Sequence, residues 1–179
     1  MKKEIFKPIL VLTAICMVVA GATALMNDIT HPVITLANYD RARMTMAEIA
    51  PHATYFIPIK SDVLPPTVHS VFKMTDDSGT DELGYIFIVY SMGFGGNMRI
   101  ICAIDADGRI IEVRTLQHTE TRGLGDWIGH RSFTSQFDGG DLNQVAEIDS
   151  VTGATITFNA FIRAVEDSFE AFTIITGGN

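Results

Sequence analysis

The chain has 179 residues, 47% of them hydrophobic and 19% charged, and its mean hydropathy is positive although its formal charge is −8. Setting aside Lys2, Lys3, Lys7 and Glu4, which precede a long apolar run, leaves 10 of the 13 basic residues against 20 of the 21 acidic ones. So acidic a remainder excludes a phosphate-backbone partner such as nucleic acid, and its length suits one domain rather than two.

Residues 1–7 form a short basic stretch, and residues Ile9 to Met26 (ILVLTAICMVVAGATALM) follow without a charge. At about 1.5 Å per helical residue such a run crosses most of a ~30 Å hydrocarbon layer. The pattern predicts a single transmembrane helix over 8–26, with the basic N-terminus in the cytoplasm and the acidic portion on the periplasmic or outer face of a bacterial inner (cytoplasmic) membrane. Ala22-Thr23-Ala24 offers a signal-peptidase alternative, but the run exceeds the usual signal core of about 7–15 residues, which favours a retained anchor. Cys16 lies in this run and Cys102 in an apolar strand-like segment, so no disulfide is expected between them.

Residues 27–65 read as a connecting segment, partly helical up to Pro51, with Pro58, Pro65 and Pro66 breaking regular structure before a domain over 66–179. Within it, Val68 to Met74, Gly84 to Met92, Met98 to Ile104 and Arg109 to Leu116 are rich in β-branched and aromatic residues and are predicted strands. The Asp107-Gly108 step joins the last two as a tight antiparallel hairpin. Asp126 to Phe137 reads weakly as helix and Val145 to Ile148 as a short strand. Phe158, Phe161, Ile162, Val165, Phe169 and Phe172 then recur at helical spacing, with Arg163, Glu166, Asp167 and Glu170 on the opposite side. The fold class is α+β: a partly antiparallel sheet with packed helices, behind one N-terminal transmembrane helix.

Two stretches carry chemistry. Asp149-Ser150-Val151-Thr152-Gly153-Ala154-Thr155 leads into the amphipathic helix. A helix start presents unpaired N–H groups and partial positive charge, and Gly153 and Ala154 let an anion approach the backbone, so a phosphate is a candidate ligand and Thr155 the nearest hydroxyl. The plainer alternative is that Asp149, Thr152 or Thr155 only caps the helix. His118-Thr119-Glu120-Thr121-Arg122-Gly123-Leu124-Gly125-Asp126-Trp127 follows a strand. Gly123 and Gly125 shape it, Leu124 can lie against a flat ring, and Glu120 and Thr121 can orient a ligand; its plainer reading is an ordinary turn.

With the Gly93-Phe94-Gly95-Gly96 turn, these stretches form an ordered set. It resembles the FMN-binding domain of the G subunit of the Rnf complex, a membrane-bound ion-translocating electron-transfer complex, and the related C subunit of the sodium-translocating NADH:quinone reductase. That family has a Gly-aromatic-x-Gly turn, an H-x-E-T-P-G-L-G loop and a D-x-x-[ST]-G-A-T motif in this order. The resemblance implies an electron-transfer subunit of an Rnf-type ferredoxin:NAD+ oxidoreductase, with other membrane and redox subunits as partners. It implies covalent FMN, joined to Thr155 by a phosphoester through a flavin transferase that uses FAD and magnesium. Asp149, Thr152, Gly153, Ala154, Glu120, Thr121, Gly123, Leu124, Gly125 and Gly96 are the further cofactor-binding candidates. No protein nucleophile or general base is implied. Arg122 stands where the family loop has proline, and Phe94 where tyrosine is frequent.

Other chemistries are poorly supported. His118 and Glu120 lack a third ligand at metal spacing, Ser132, Ser135 and His130 lack a nucleophile elbow, and no G-x-G-x-x-G follows a strand, so the domain is not expected to oxidise NADH itself. Trp127 suits either the core or a ring contact. A C-type quinone-reductase subunit, another exported flavin carrier and a tethered binding module without flavin remain the alternatives.

Overall fold

The computed structural model describes residues 2–61, 63–79 and 81–177, with side chains omitted for residues 2–6, 28, 29 and 31–40; Met1, Gly178 and Asn179, the ends of the expected segments, lie outside the described residues. The chain divides into two compact units, Met1–Arg43 and Met44–Asn179. The first is the greater part of one helix, α1 (Lys2–Ile49). Its stretch Lys7–Asn27 is long and apolar enough to cross a membrane, and its side chains are exposed throughout. Thr13 and Thr23 donate their hydroxyls to the carbonyls of Ile9 and Val19, which satisfies both groups within the helix.

The second unit is built on a five-stranded antiparallel sheet in the order β1 (Tyr55–Ile59), β2 (Val68–Thr75), β3 (Glu82–Met92), β4 (Asn97–Asp105), β5 (Ile110–Gln117). The last four correspond to the predicted strands. In the β4–β5 hairpin Gly108 takes φ +79° and Asp105 accepts from the N–H groups of Asp107 and Arg109, so the Asp-Gly step works as expected. Strands β3 and β4 read as continuous apolar runs because both sheet faces are covered. On one face Phe87, Val89, Ile100 and Cys102 join the amphipathic helix α4 (Thr155–Thr176) in the main core. On the other, Ile86, Ile88, Ile101 and Ala103 are equally buried, as are Met46, Ile49 and Ala50 at the end of α1. Glu48 beside them pairs with Arg114 of β5 at 2.5 Å.

These contacts bring the start of the compact unit to Met44, well before the boundary expected near residue 66. Strand β1 was missed because Pro58 reads as a breaker; it pairs with Phe72 on an edge strand, where a missing N–H is tolerated. The expected strand Val145 to Ile148 is instead the end of a helix, α3 (Leu142–Ala146), after α2 (Arg131–Thr134) and two 3₁₀ turns, Asp126–Gly129 and Ser135–Phe137, that replace the single weak helix. A local signal did exist for α3. Asp141 caps it and Gln144 returns the bond to the Asp141 N–H, a reciprocal capping box that outweighs the β propensity of Val145. On α4 the apolar stripe is buried as predicted, but Asp167, read as solvent-facing, is half-buried and accepts from the Thr67 hydroxyl at 2.6 Å.

Candidate functional site

The β3–β4 connection, the loop after β5 and the start of α4 meet around a cavity of about 410 Å³. Its lining is Phe94 from the first, Glu120, Thr121, Leu124 and Gly125 from the second, and residues 153–157 from the third. Three large apolar side chains stand exposed on its walls: Phe94 at 74%, Ile156 at 59% and Leu124 at 56%. Monomeric surfaces rarely hold such side chains together without a ligand or partner to cover them.

The helix start is the most distinctive part. Gly153 adopts φ +84°, a left-handed conformation that turns the chain into α4, and Ala154 sits at the N-cap with no side-chain hydrogen bond. The capping alternatives fail for a geometric reason: the N-cap position falls on Ala154, which has no acceptor, while Asp149 and Thr152 lie upstream and exposed and Thr155 is already the first helical residue. The first intrahelical bond is Phe158 N–H to the Ala154 carbonyl, so the first-turn amides of Thr155, Ile156 and Thr157 lie beside the cavity without a capping side chain. Thr155 is exposed there. The partial positive charge of a 22-residue helix therefore opens on a concave, mostly apolar surface, with the hydroxyls of Thr121, Thr155 and Thr157 among its lining residues.

Glu120 organises the other two walls. It is only 8% exposed, and its Oε1 accepts from the Gly95 N–H at 3.1 Å. A Cβ at Gly93 would fall 2.0 Å from Oε1 and one at Gly125 2.6 Å from Oε2, so both glycine turns close on the same carboxylate. Here the glycines answer to close approach as much as to dihedral freedom. The Leu124 loop is held from below by Trp127, whose Nε1–H donates to the Leu124 carbonyl at 2.6 Å while its ring packs against Phe133 at 4.4 Å. Trp127 is thus a core residue and a tether, outside the cavity lining.

Of the sequence candidates, Thr155, Gly153, Ala154, Glu120, Thr121, Leu124 and Gly125 come together around the cavity; Asp149, Thr152, Gly123 and Gly96 do not line it. Gly123 and Gly96 shape the two loops, with φ +76° and +129°. Sequence reasoning missed Ile156 and Thr157, and placed Phe94 in a motif without a site role; the spacing of Thr155-Ile156-Thr157 in a first helical turn was the available signal. His118 turns away from open space: its Nδ1 accepts from the Glu120 N–H at 3.3 Å, and its ring approaches Gly129. Arg122 is exposed outside the lining. Cys102 is buried, with its thiol pushed up to about 12 by desolvation, so it offers no thiolate for chemistry at neutral pH.

A family model described as an FMN-binding domain matches residues 93–170, a span that holds all three walls of the cavity. The G subunit of the proton-translocating ferredoxin:NAD(+) oxidoreductase complex of Clostridium ljungdahlii is 32% identical over 109 residues, covering 56% of this chain and 59% of that one. The G subunit of the ion-translocating oxidoreductase complex of Shewanella amazonensis is 30% identical over 200 residues, covering 92% of this chain and 86% of the relative. Its counterpart in Methanosarcina acetivorans is 28% identical over 178 residues, with 94% of each chain covered. Among solved structures, the crystal structure of Shewanella oneidensis NqrC matches with a TM-score of 0.51 and 23% identity, over 72% of this chain and 73% of that one, a likeness of fold.

Proposed function

This chain belongs to the family of G subunits of ion-translocating oxidoreductase complexes, and we propose that within such a complex it carries electrons on an FMN held through a phosphoester to Thr155. The observation that carries the proposal is the uncapped start of α4: three first-turn amides and the Thr155 hydroxyl border a cavity of about 410 Å³ with apolar walls. These residues fit the group. A phosphoryl group needs N–H donors and positive potential, which a helix N-terminus supplies, and a flat ring needs apolar surface, which Phe94, Leu124 and Ile156 present. When bound, FMN supplies one- and two-electron chemistry that no side chain here provides.

The protein's own part is to hold and orient. In attachment by a flavin transferase with magnesium as its cofactor, the Thr155 oxygen would bond to the FMN phosphorus of FAD as the pyrophosphate linkage breaks, AMP would leave, and the hydroxyl proton would pass to the transferase or to water. The first-turn amides would hold the phosphoryl oxygens, and Gly153 and Ala154, with no side chain beyond a methyl, would leave them room. Glu120 keeps the two glycine turns together. Covalent linkage answers the openness of the cavity, since a tethered cofactor keeps a high local concentration that a freely dissociating one loses by dilution.

In this reading Lys7–Asn27 crosses the cytoplasmic membrane once, with Lys2, Lys3 and Lys7 inside and the FMN domain on the outer face. The other membrane and redox subunits of a ferredoxin:NAD+ oxidoreductase of the Rnf type are then its partners, and ion movement belongs to them, because the span contains no ionisable acid or base among Ile9 to Met26 to line a pathway.

Intact-mass analysis tests attachment. Coexpressed with a flavin transferase, the wild-type chain gains one FMN, and peptide mapping puts the addition on Thr155; an unmodified mass, or flavin on another residue, overturns the assignment. Protease added to intact right-side-out cells tests orientation: the domain is digested while the N-terminus survives, and a mature chain beginning after Ala24 would replace the anchor by a cleaved leader.

A further inference from the structure

We infer that Arg122 tunes the redox potential of the flavin, as a cation that the loop after β5 holds at the rim of the cavity; the inference rests on the cavity being the FMN site.

Residues 121–124 form a turn closed by the Leu124 N–H on the Thr121 carbonyl at 3.1 Å, with Gly123 at φ +76° in its third position. Among the described residues no non-glycine has a positive φ, Arg122 included. A positive φ at the third position after a negative one at the second marks a type II turn. The second position of such a turn suits proline, whose ring fixes φ near −65° and narrows the unfolded ensemble. Arg122 occupies it instead. Other bonds keep the loop in shape: the Gly125 N–H also donates to the Thr121 carbonyl at 3.1 Å, the Gly123 N–H to Asp126 Oδ1 at 2.9 Å, and the Trp127 indole to the Leu124 carbonyl at 2.6 Å. None of them uses the arginine side chain, so position 122 forgoes the stiffness of proline without adding a bond in its place.

What the side chain adds is charge in a fixed place. Thr121 and Leu124, which flank it in the turn, both line the cavity, while Arg122 itself is exposed beside them. Lys73, Arg114 and Arg131 are each matched by carboxylates, but among the described residues Arg122 makes no ion pair and no hydrogen bond. The two carboxylates of its own loop are engaged by backbone amides, Glu120 by the Gly95 N–H and Asp126 by the Gly123 N–H. An unmatched cation at the mouth of a mostly apolar cavity acts on whatever charge develops inside it. On reduction at neutral pH the flavin ring takes two electrons from the donor in the complex and one proton from water, and so gains one negative charge. Arg122 favours that charged form over the neutral oxidised ring, which raises the midpoint potential. Because the guanidinium is exposed and acts through a high effective dielectric, the effect is limited to about two- to ten-fold in the reduced-to-oxidised ratio at a fixed potential.

Spectropotentiometric titration of the full-length flavinylated protein tests this. Arg122→Gln should lower the midpoint potential by about 10–30 mV, the same two- to ten-fold change at about 30 mV per decade for a two-electron couple. Arg122→Lys should keep the wild-type potential, and Arg122→Glu should fall below Arg122→Gln. Arg122→Pro separates charge from shape: it should raise the thermal midpoint, because it stiffens a turn already of the right type, and still show the potential of Arg122→Gln. In 1 M salt, where the screening length is about 3 Å, wild type and Arg122→Gln should converge. Equal potentials in wild type and Arg122→Gln at low salt, or a wild-type potential in Arg122→Pro, overturn the inference. So does a difference that persists in 1 M salt, which would assign the effect to the shape of the loop. Every variant changes an exposed side chain outside the cavity lining, so all are expected to fold and to label, and intact mass is read on the same samples. A wild type without flavin on Thr155 defeats the attachment reading, whereas flavinylated samples with equal potentials defeat only the role of Arg122.

Discussion

Two helices of the domain begin in opposite ways. Helix α3, five residues long, opens with Asp141, which accepts from the N–H groups of Asn143 and Gln144 while Gln144 bonds back to the Asp141 N–H. Helix α4, with 22 residues, opens with Ala154, which caps nothing. A helix of one turn cannot meet the cost of nucleation from its own backbone bonds and depends on its cap. A helix packed along the sheet through Phe158, Phe161, Val165 and Phe169 does not. The long helix can leave its first-turn amides to a ligand, and forgoing a cap costs about 1 kcal/mol, small beside the burial of those four side chains. The candidate site is thus placed where the fold has stability to spare.

The sharpest way to break this comparison is at Thr155. Thr155→Val should remove covalent flavin completely, seen as loss of in-gel fluorescence after denaturation, while far-UV circular dichroism stays unchanged. Thr152→Val, three residues upstream and outside the cavity lining, should keep full labelling; equal loss in both would detach the chemistry from the helix start. Next in size is Gly95→Ala. Its Cβ would fall 2.5 Å from the Thr119 carbonyl oxygen, a backbone atom, and relief by shifting the loop should cost about 1–3 kcal/mol in urea unfolding.

At the capped helix, Asp141→Ala should cost about 1 kcal/mol without altering flavin content, which separates a structural helix start from a binding one. The smallest effect is expected from giving α4 the cap it lacks. Ala154→Ser should raise stability by no more than about 1 kcal/mol and slow flavin transfer, because the new hydroxyl engages an amide otherwise free for phosphate. A stabilised Ala154→Ser protein that labels at the wild-type rate would show that these amides are not used.

The parts of this protein that the sequence by itself determined are those governed by local spacing. The apolar run from Ile9, the β-branched and aromatic runs of β2 to β5, the Asp-Gly turn and the 3.6-residue stripe of α4 are written in neighbours close along the chain, and so is the motif that ends in Thr155. Tertiary structure decided what depends on distant partners. Pro58 is compatible with a strand only because β1 lies at the edge of the sheet and meets Phe72 there. The end of α1 joins the compact unit because Met46 and Ile49 find cover and Glu48 finds Arg114, 66 residues away. The same holds inside the site: Phe94, Glu120 and Thr157 are ordinary residues in their own segments, and only the antiparallel return of the sheet and the placement of α4 bring the Phe94 amide to the Thr157 hydroxyl and the Gly95 amide to the Glu120 carboxylate.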